Sequence, residues 1–285
     1  MTISPRFPQS NPLYWSASAV LDGGFVVKYA WSEVRAVRLW REGVILQRLR
    51  ALDSALPVPE VVAVTTEPAL LVTRRVAGDP LSWEWASALS PSETEQVAQE
   101  LGSFLARLHS VSADDLLGEL PAVRPTAQAD TDRLRSRFHR AVDQPRAAMV
   151  EEWCGWVDDV LNRPHPYPAV VVHGDLHGYN QLWDLPSARL TAAVDFEESG
   201  MEEPEFDLRY LPNAAASPEV ALAVVQAYQR LRGHHLSVKR MMAWHVLTVL
   251  GDALWRTEAG AALPDGGTAT TWVDNLARRL AAFDL

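Results

Sequence analysis

The feature that most restricts the fold of this chain is the segment His-Gly-Asp-Leu-His-Gly-Tyr-Asn at 173–180, with a second acid, Asp195, fifteen positions after Asn180. The residues between them fit three short pieces: a strand at 181–183, a turn at 184–188 and a second strand at 189–194. Two strands joined by a tight turn run antiparallel, so the second returns to the place where the first began. We therefore expect Asp175, Asn180 and Asp195 to meet in one cleft.

These three side chains have the chemistry that nucleotide-dependent phosphoryl transfer requires. The carboxylate of Asp175 can accept a hydrogen bond from an acceptor hydroxyl and align it with the γ-phosphorus. Asn180 and Asp195 can hold the magnesium ions that bridge the phosphates. Each residue alone would be typical of a turn or a strand end, so the prediction depends on their combination.

Composition excludes several other classes of protein. The chain has 285 residues, enough for one large domain or two lobes. A single cysteine, Cys154, excludes an internal disulfide and a thiolate metal cage. No apolar run approaches the roughly 18 residues of a membrane helix, and the first residues do not have the pattern of a secretory signal. We therefore expect a cytoplasmic protein. A net charge of −10 argues against nucleic-acid binding.

Charge is unevenly distributed along the chain. Up to Pro80, nine basic residues oppose seven acidic ones, whereas seventeen oppose twenty-nine in the remainder. The front part therefore suits a polyphosphate and the remainder a cationic partner, although many solvated surfaces are acidic for no specific reason. The acidic segment after Asp195 is either an exposed loop or a site for an ammonium-bearing substrate. Its candidate ligands are Glu197, Glu198 and Glu202.

The first eighty residues carry mostly strand signals. Two hairpins are predicted: 18–21 with 25–29, and 60–66 with 69–76. Between them, apolar spacing predicts a helix at 34–50. Gly78 lies in a Gly-Asp-Pro break, so we predict two lobes, 1–77 and 78–285.

Beyond that boundary the pattern is mostly helical. Ser90 and Glu93 form a predicted capping box, followed by an apolar stripe on one helix face. Further helices are predicted at 148–162, 218–232, 238–256 and 271–283. A strand-rich front part and a helical remainder predict an α+β fold.

Lys28 lies within an apolar strand, Phe-Val-Val-Lys. Burying an ammonium group is costly unless it pairs with an anion. A phosphate group, or Glu42 on the following helix, could be that anion. An edge-strand lysine that faces water is the alternative. The sequence contains neither a P-loop motif nor Gly-x-Gly-x-x-Gly, which excludes a P-loop nucleotide site. His173 and His177 lie in a glycine-containing loop, so we expect His173 to brace that loop rather than to bind zinc.

Together these residues resemble the aminoglycoside phosphotransferase family, the antibiotic kinases, whose members share a bilobal protein-kinase-like fold. The segments that carry the resemblance are 172–180, 194–197 and 200–208. The resemblance implies a small antiparallel-sheet N-terminal lobe that binds nucleotide and a larger helical C-terminal lobe that holds the catalytic loop. It also implies that Asp175 is the catalytic base and that Asn180 and Asp195 bind Mg²⁺.

The resemblance extends to further residues. Those that it adds to the nucleotide site are Lys28, Glu42, Thr73 and Arg75. Asp207 would anchor the catalytic loop. One departure concerns the loop that covers the phosphates, because the chain has no glycine motif there. A segment within 11–18 must cover the phosphates instead, and the candidate residues are Ser16 and Ser18.

The sequence thus predicts a kinase that transfers the γ-phosphate of ATP or GTP, with Mg²⁺, to a hydroxyl of a small and cationic antibiotic-like acceptor. Aminoglycosides and basic peptide antibiotics suit the acidic remainder, whereas a macrolide suits the aromatic content. The alternatives are a metabolic kinase for choline, homoserine or an amino sugar, and a silent nucleotide-binding regulator. A protein kinase is disfavoured because only eleven residues separate Asp195 from Asp207. Neither nucleic acid nor membrane is an expected partner.

Overall fold

An antiparallel sheet forms the front part of the protein in this computed structural model, which describes residues 2–3, 16–125 and 129–285. Its five strands, in the spatial order β1-β2-β3-β5-β4, are β1 (Thr2–Ile3), β2 (Ser16–Leu21), β3 (Phe25–Ala30), β4 (Val61–Thr66) and β5 (Ala69–Arg74). Both predicted hairpins are confirmed, since β2 pairs with β3 and β4 pairs with β5. The central position of β3 places Lys28 in the middle of the sheet.

One long helix, α1 (Glu33–Leu52), connects β3 to β4 and packs against the sheet. It begins at Ser32, whose hydroxyl accepts the backbone N–H of Arg35 as an N-cap. Ile45 and Leu49 on its inner face are fully buried. The helix predicted at 34–50 is confirmed, and its burial fixes the position of Glu42 relative to β3.

The remainder is mostly helical, as predicted. Its helices are α2 (Trp83–Ser87), α3 (Pro91–Leu108), α4 (Ala113–Leu116), α5 (Thr131–Arg137), α6 (Gln144–Leu161), α7 (Glu205–Leu208), α8 (Glu219–Arg232), α9 (Val238–Ala259) and α10 (Ala269–Ala282). The capping box of Ser90 and Glu93 opens α3, as expected. The four later helices predicted from apolar spacing correspond to α6, α8, α9 and α10.

Short strands lie between these helices. They are β6 (Asp79–Pro80), β7 (Val170–Val172), β8 (Gln181–Asp184), β9 (Arg189–Ala193) and β10 (Gly200–Glu202). The predicted pair around the motif is confirmed, since β8 runs antiparallel to β9, while β6 pairs with the other edge of β8. β7 pairs with β10. These pairings bring the segment before His173 and the segment after Asp195 to the same part of the fold.

The architecture changes just after the front sheet. That sheet ends at Arg74, and the next strand, β6 at Asp79–Pro80, already pairs with β8 of the helical part. The apolar core continues across this change, from Leu46 on α1 to Leu105 on α3 and Leu250 on α9. The α+β fold is confirmed. Within the described ranges, no helix is long and apolar enough to span a bilayer.

Candidate active site

One buried carboxylate holds the start of the loop that carries the motif. Asp207 on α7 accepts the backbone N–H groups of His173 (2.7 Å) and Gly174 (2.9 Å), and it lies 3.2 Å from Nε2 of His109. Burial alone would raise the pKa of Asp207, but these hydrogen bonds outweigh burial and lower the pKa below its ordinary value. The ionised Asp207 therefore fixes the backbone from which Asp175 projects.

The His173 side chain connects this loop to the segment that carries Asp195. Its Nε2 donates to the carbonyl of Val194 at 2.9 Å, and its Nδ1 accepts the backbone N–H of Asp175 at 3.2 Å. The two partners have fixed roles, so the imidazole carries its proton on Nε2. Complete burial lowers the pKa of His173, which keeps the ring neutral. A neutral His173, with both ring nitrogens hydrogen-bonded, therefore ties the loop to the segment that carries Asp195.

Two glycines allow the loop to lie against neighbouring backbone. Gly174 has φ +89°, and a Cβ there would lie 2.2 Å from the carbonyl oxygen of Glu198. A Cβ on Gly178 would lie 2.3 Å from the carbonyl oxygen of Leu81. Because backbone atoms cannot move away as flexible side chains do, both positions require glycine. The loop is therefore fixed between Glu198, in the segment before β10, and Leu81, directly after β6.

The Asp175 carboxylate faces donors at both oxygens. The hydroxyl of Tyr210 donates to Oδ1 at 2.6 Å. Longer contacts of 3.5 Å join Oδ2 to Nδ2 of Asn180 and to Nε2 of His177. The side chain is still 33% exposed, so a small molecule can reach Oδ2. Asp175 is thus an accessible carboxylate on a rigid loop.

Asn180 and Asp195 lie beside each other because β8 and β9 pair. The backbone N–H of Val194 donates to the carbonyl of Asn180 at 2.9 Å. The side-chain Nδ2 of Asn180 donates to the carbonyl of Asp175 at 2.8 Å. Since the amide nitrogen is engaged, the carboxamide oxygen is the atom that a cation can bind. The three residues on which the sequence analysis depended therefore meet at one point of the fold.

Asp195 has an unusual backbone conformation, with φ +70° and ψ +60°. Few non-glycine residues adopt this left-handed region, and aspartate tolerates it better than most. Such strain concentrates at functional sites and persists where the surrounding structure holds it. Here the preceding residue, Val194, is bonded on both sides, to Asn180 and to His173.

Lys28 joins the front sheet to this point. Its Nζ lies 2.7 Å and 2.8 Å from the two carboxylate oxygens of Glu42 and 2.8 Å from Oδ1 of Asp195. Burial alone would lower the pKa of Lys28, but attraction to Asp195 and Glu42 outweighs it and raises the pKa. The same ammonium keeps the pKa of Asp195 below its ordinary value, against the effect of burial. Lys28 is therefore a permanent cation between the two parts of the fold.

Other predicted nucleotide residues lie on the same sheet. Ser18 is the cross-strand partner of Lys28, and opposite residues of two paired strands project from one face. Ser16, at the start of β2, accepts a hydrogen bond from Nε of Arg35 at 3.0 Å. The rest of the predicted phosphate-covering segment, 11–15, lies outside the described residues. The structure thus connects Ser16 to α1 and puts Ser18 beside Lys28.

The two remaining residues predicted for the nucleotide site lie on β5 or directly after it. Thr73 is buried there opposite Val26, so its side chain shares a sheet face with Lys28, two residues further along β3. Arg75 follows the strand, and its backbone N–H donates to the carbonyl of Gly24 at 3.0 Å. Thr73 therefore faces the same side as Lys28, whereas Arg75 closes the end of the β2–β3 hairpin.

The carboxylates of Glu197 and Glu198 face α1. Nη1 of Arg35 lies 2.5 Å from Oε1 of Glu197, and Arg38 forms an ion pair with Glu198. Burial and the nearby Asp195 raise the pKa of Glu197 to about 7, although Arg35 opposes this. A cationic acceptor would have to compete with both arginines for these carboxylates.

Glu202 has a different setting, on β10. Its Oε1 accepts the backbone N–H of Glu203 at 3.0 Å. Burial raises the pKa of Glu202, while Arg124 and Arg240 oppose that rise. The structure therefore does not gather the three predicted acceptor ligands into one patch, because Glu197 and Glu198 project toward α1.

Arg41 completes a row of arginines that the sequence analysis did not identify. Its Nη2 donates to the carbonyl of Ser199 at 2.6 Å, and its Nε donates to the carbonyl of Pro121 at 2.9 Å. Arg35, Arg38 and Arg41 are three residues apart, so they share one helix face. This spacing in the sequence could have predicted a row of arginines on one face of α1. The row holds α1, and Glu42 with it, against the segment that follows Asp195.

Oxygen ligands suited to a hard cation surround this point. One oxygen each from Glu42, Asp195 and Glu197 lie within 4.8 Å of one another. Carboxylate and amide oxygens are what Mg²⁺ prefers, and it takes few of them when phosphate oxygens complete its shell. Asp195 and the carboxamide of Asn180 therefore fit a magnesium ion shared with a polyphosphate. Glu42 is engaged by Lys28 on both of its oxygens.

Solved structures with a similar fold are kinases of small molecules. The GDP complex of a mutant aminoglycoside 2′-phosphotransferase-IIIa matches with a TM-score of 0.72 at 16% identity, covering 98% of this chain and 91% of that one. Macrolide 2′-phosphotransferase type I matches with a TM-score of 0.62 at 18% identity, covering 92% and 86%. At such identities the likeness shows the fold, which is the predicted bilobal, protein-kinase-like one.

Sequence comparison supplies the family. Viomycin phosphotransferase of Streptomyces vinaceus is 27% identical over 201 residues, which are 66% of this chain and 67% of that protein. The sequence model of the Phosphotransferase enzyme family matches residues 9–239, a span that includes each candidate site residue described above. The chain is therefore a member of the phosphotransferase enzyme family, and the resemblance to the antibiotic kinases is confirmed.

Proposed function

We propose that this protein transfers the γ-phosphate of ATP or GTP to a hydroxyl of a small, polycationic antibiotic and thereby inactivates it. The observation that carries the proposal is the convergence of Asp175, Asn180 and Asp195, with Lys28 bonded to Asp195 at 2.8 Å. A member of the phosphotransferase family with this constellation has the parts for in-line transfer. Nucleotides are intracellular metabolites, so the proposal includes a cytoplasmic reaction.

In the proposed reaction the acceptor hydroxyl oxygen forms a bond to the γ-phosphorus while the bond to the bridging β–γ oxygen breaks. Asp175 orients the hydroxyl through Oδ2 and takes its proton, and the nucleoside diphosphate leaves. Lys28 binds phosphate oxygens, and Glu42 keeps its ammonium in place. Asn180 and Asp195 would hold Mg²⁺, which neutralises the charge on the phosphate oxygens when bound. Most of the rate then comes from positioning and electrostatics.

A polycationic acceptor is proposed from charge and from sequence similarity. The residues after Pro80 carry seventeen basic and twenty-nine acidic side chains, so the lobe that would bind the acceptor is acidic. The curated relative is a viomycin phosphotransferase by name, so sequence similarity favours an antibiotic as the acceptor. The structural neighbours do not distinguish between possible acceptors, because they include both an aminoglycoside and a macrolide phosphotransferase.

A coupled assay for ADP and GDP release tests the proposed function. The acceptor panel contains viomycin, kanamycin, a macrolide, choline, homoserine and glucosamine, and mass spectrometry identifies each phosphorylated product. We expect magnesium-dependent release with at least one polycationic antibiotic, and protection of a sensitive host that expresses the protein. Turnover restricted to choline, homoserine or glucosamine would indicate a metabolic kinase. Nucleotide binding without release across the panel would indicate a silent regulator.

Replacing Lys28 by alanine is expected to raise the Michaelis constant for the nucleotide about 10- to 100-fold. A charge-assisted hydrogen bond contributes about 1.5–3 kcal/mol, and each 1.4 kcal/mol is about tenfold in affinity. The chain has a natural control, because its only other lysine, Lys239, is exposed on α9. Lys239→Ala should leave the constant unchanged. An equal effect of the two substitutions would mean that Lys28 does not contact phosphate.

Replacing Asp195 by asparagine is expected to remove the magnesium dependence of nucleotide binding. Asparagine keeps the size of the side chain and tolerates the left-handed backbone at this position, so the loss reports on the carboxylate. Changing a supporting residue costs about 10–100-fold in metal affinity, so loss of a direct ligand should exceed about 100-fold. Calorimetric titration of a non-hydrolysable ATP analogue with and without Mg²⁺ measures this. Unchanged magnesium dependence would place the metal elsewhere.

A further inference from the structure

Tyr210 makes a short hydrogen bond to the proposed catalytic carboxylate. Its hydroxyl lies 2.6 Å from Oδ1 of Asp175 and must be the donor, since an ionised carboxylate only accepts. Burial and the charge of Asp175 raise the pKa of Tyr210 above its ordinary value, so the hydroxyl keeps its proton. Tyr210 follows α7 and lies 35 residues from Asp175 in the chain.

Arg209 supports this hydroxyl from behind. Its Nη2 donates to the Tyr210 hydroxyl at 3.2 Å and to the carbonyl of Gly174 at 2.6 Å. The buried guanidinium lies 3.8 Å from the ring centre of Phe206 and 4.3 Å from that of Tyr210. Hydrogen bonds in such a chain polarise one another, so the arginine strengthens the donor that faces Asp175.

The remaining contacts of the Asp175 carboxylate are longer, and at Oδ1 they include Nη2 of Arg209 at 3.9 Å. Oδ2 lies 3.5 Å from both Asn180 and His177, whereas Oδ1 receives the 2.6 Å bond. One oxygen is thus held firmly by the protein, and the other is the atom that an acceptor hydroxyl can reach. A carboxylate bound at one oxygen cannot rotate freely about its Cβ–Cγ bond, so Oδ2 keeps a single direction.

We propose that Tyr210, supported by Arg209, is a positioning residue that holds the Asp175 carboxylate in the orientation needed to align the acceptor hydroxyl. This inference rests on the proposed function, because that function gives Asp175 its role. The role that it gives Tyr210 acts through the Asp175 carboxylate. Its contribution is to geometry, and phosphoryl transfer depends strongly on the alignment of the attacking oxygen.

Tyr210→Phe tests the proposal, since it removes one oxygen and keeps the ring that stacks on Arg209. We expect kcat to fall about 10- to 100-fold, which corresponds to loss of a charge-assisted hydrogen bond. The Michaelis constant for the nucleotide should stay within about twofold, because the loss falls on the chemical step. Tyr167→Phe is the matched control, since the Tyr167 hydroxyl accepts the backbone N–H of His235 at 3.1 Å instead. The control should change neither constant.

Crystal structures of the wild type and of Tyr210→Phe provide a second readout that does not need turnover. In the variant we expect the Asp175 carboxylate to rotate or to occupy more than one conformation. The same single conformation in both proteins, or an unchanged kcat, would overturn the inference. If the wild type phosphorylates no acceptor, the proposed function fails, while the crystallographic comparison still decides whether Tyr210 fixes the carboxylate.

Discussion

Asp175→Asn is expected to lower kcat for phosphoryl transfer about 10³-fold, within the range of about 10²–10⁴ that a positioned acid or base contributes. Asparagine keeps the shape of the side chain, and its amide oxygen can still accept from Tyr210. It cannot take the hydroxyl proton, so the loss should appear in the chemical step. Nucleotide affinity should remain nearly unchanged, because the contacts of Lys28 and Asp195 are intact. Steady-state kinetics and calorimetric nucleotide titration measure the two effects.

Asp184→Asn is the control for that experiment. Asp184 is exposed at the end of β8 and bonds to Ser187 in the following turn. Removing its charge changes the net charge of the protein as Asp175→Asn does, so the comparison cancels that effect. If Asp175→Asn also abolished nucleotide binding, Asp175 would belong to the nucleotide or metal site rather than to the acceptor side. Nη2 of Arg209 lies 3.9 Å from Oδ1 of Asp175, so Asp175→Asn also removes the charge that faces this arginine. The melting temperature of the variant must therefore be measured together with its kinetics.

Gly174→Ala adds only one methyl group, yet we expect it to destabilise or displace the catalytic loop. The new Cβ would lie 2.2 Å from the carbonyl oxygen of Glu198, at a residue with φ +89°. Backbone strain and overpacking each cost about 1–3 kcal/mol, so we expect about 3 kcal/mol of lost stability or a displaced loop. A displacement of about 1 Å can lower turnover on the order of 100-fold. Thermal unfolding and kcat measure the two outcomes.

Gly155→Ala is the matched control on α6. A Cβ there has no atom within 4 Å, and alanine is favoured over glycine within a helix by about 1 kcal/mol. We therefore expect equal or higher stability and an unchanged kcat. A Gly174→Ala protein with wild-type melting temperature and wild-type kcat would show that the loop is not held between Asp207 and Glu198 as described.

Most secondary structure could be predicted from the sequence because its signals are local. The hairpins, α1 and the later helices follow from apolar periodicity, turn residues and caps within a few positions of each element. The grouping of Asp175, Asn180 and Asp195 was also a local inference, since it needed only one strand–turn–strand unit. Lys28 and Glu42 could be paired because a single turn separates β3 from α1, and their bond of 2.7 Å agrees with that pairing.

Contacts between distant segments could not be predicted in this way. Glu197 and Glu198 were candidates for an acceptor site, with an exposed loop as the alternative. Their arginine partners on α1 lie 162 and 160 residues away in the chain. Tyr210 was not identified at all, because its local sequence does not specify a partner 35 residues earlier in the chain. Such pairings depend on how α1 and α7 pack against the catalytic loop. The roles of Glu197, Glu198 and Glu202 toward an acceptor stay a prediction.

The sequence by itself determined the family, the α+β fold and the three residues that meet around the phosphate, because each depends on residue type and short spacing. Only the tertiary structure decided which atoms hold these residues. The Asp207 carboxylate accepts two backbone N–H groups of the loop, the His173 ring binds the carbonyl of Val194, and Tyr210, which the sequence did not indicate, binds the Asp175 carboxylate. The physical reason is that a motif specifies which side chains are present. Their orientation comes from hydrogen bonds and packing between segments that folding alone brings together.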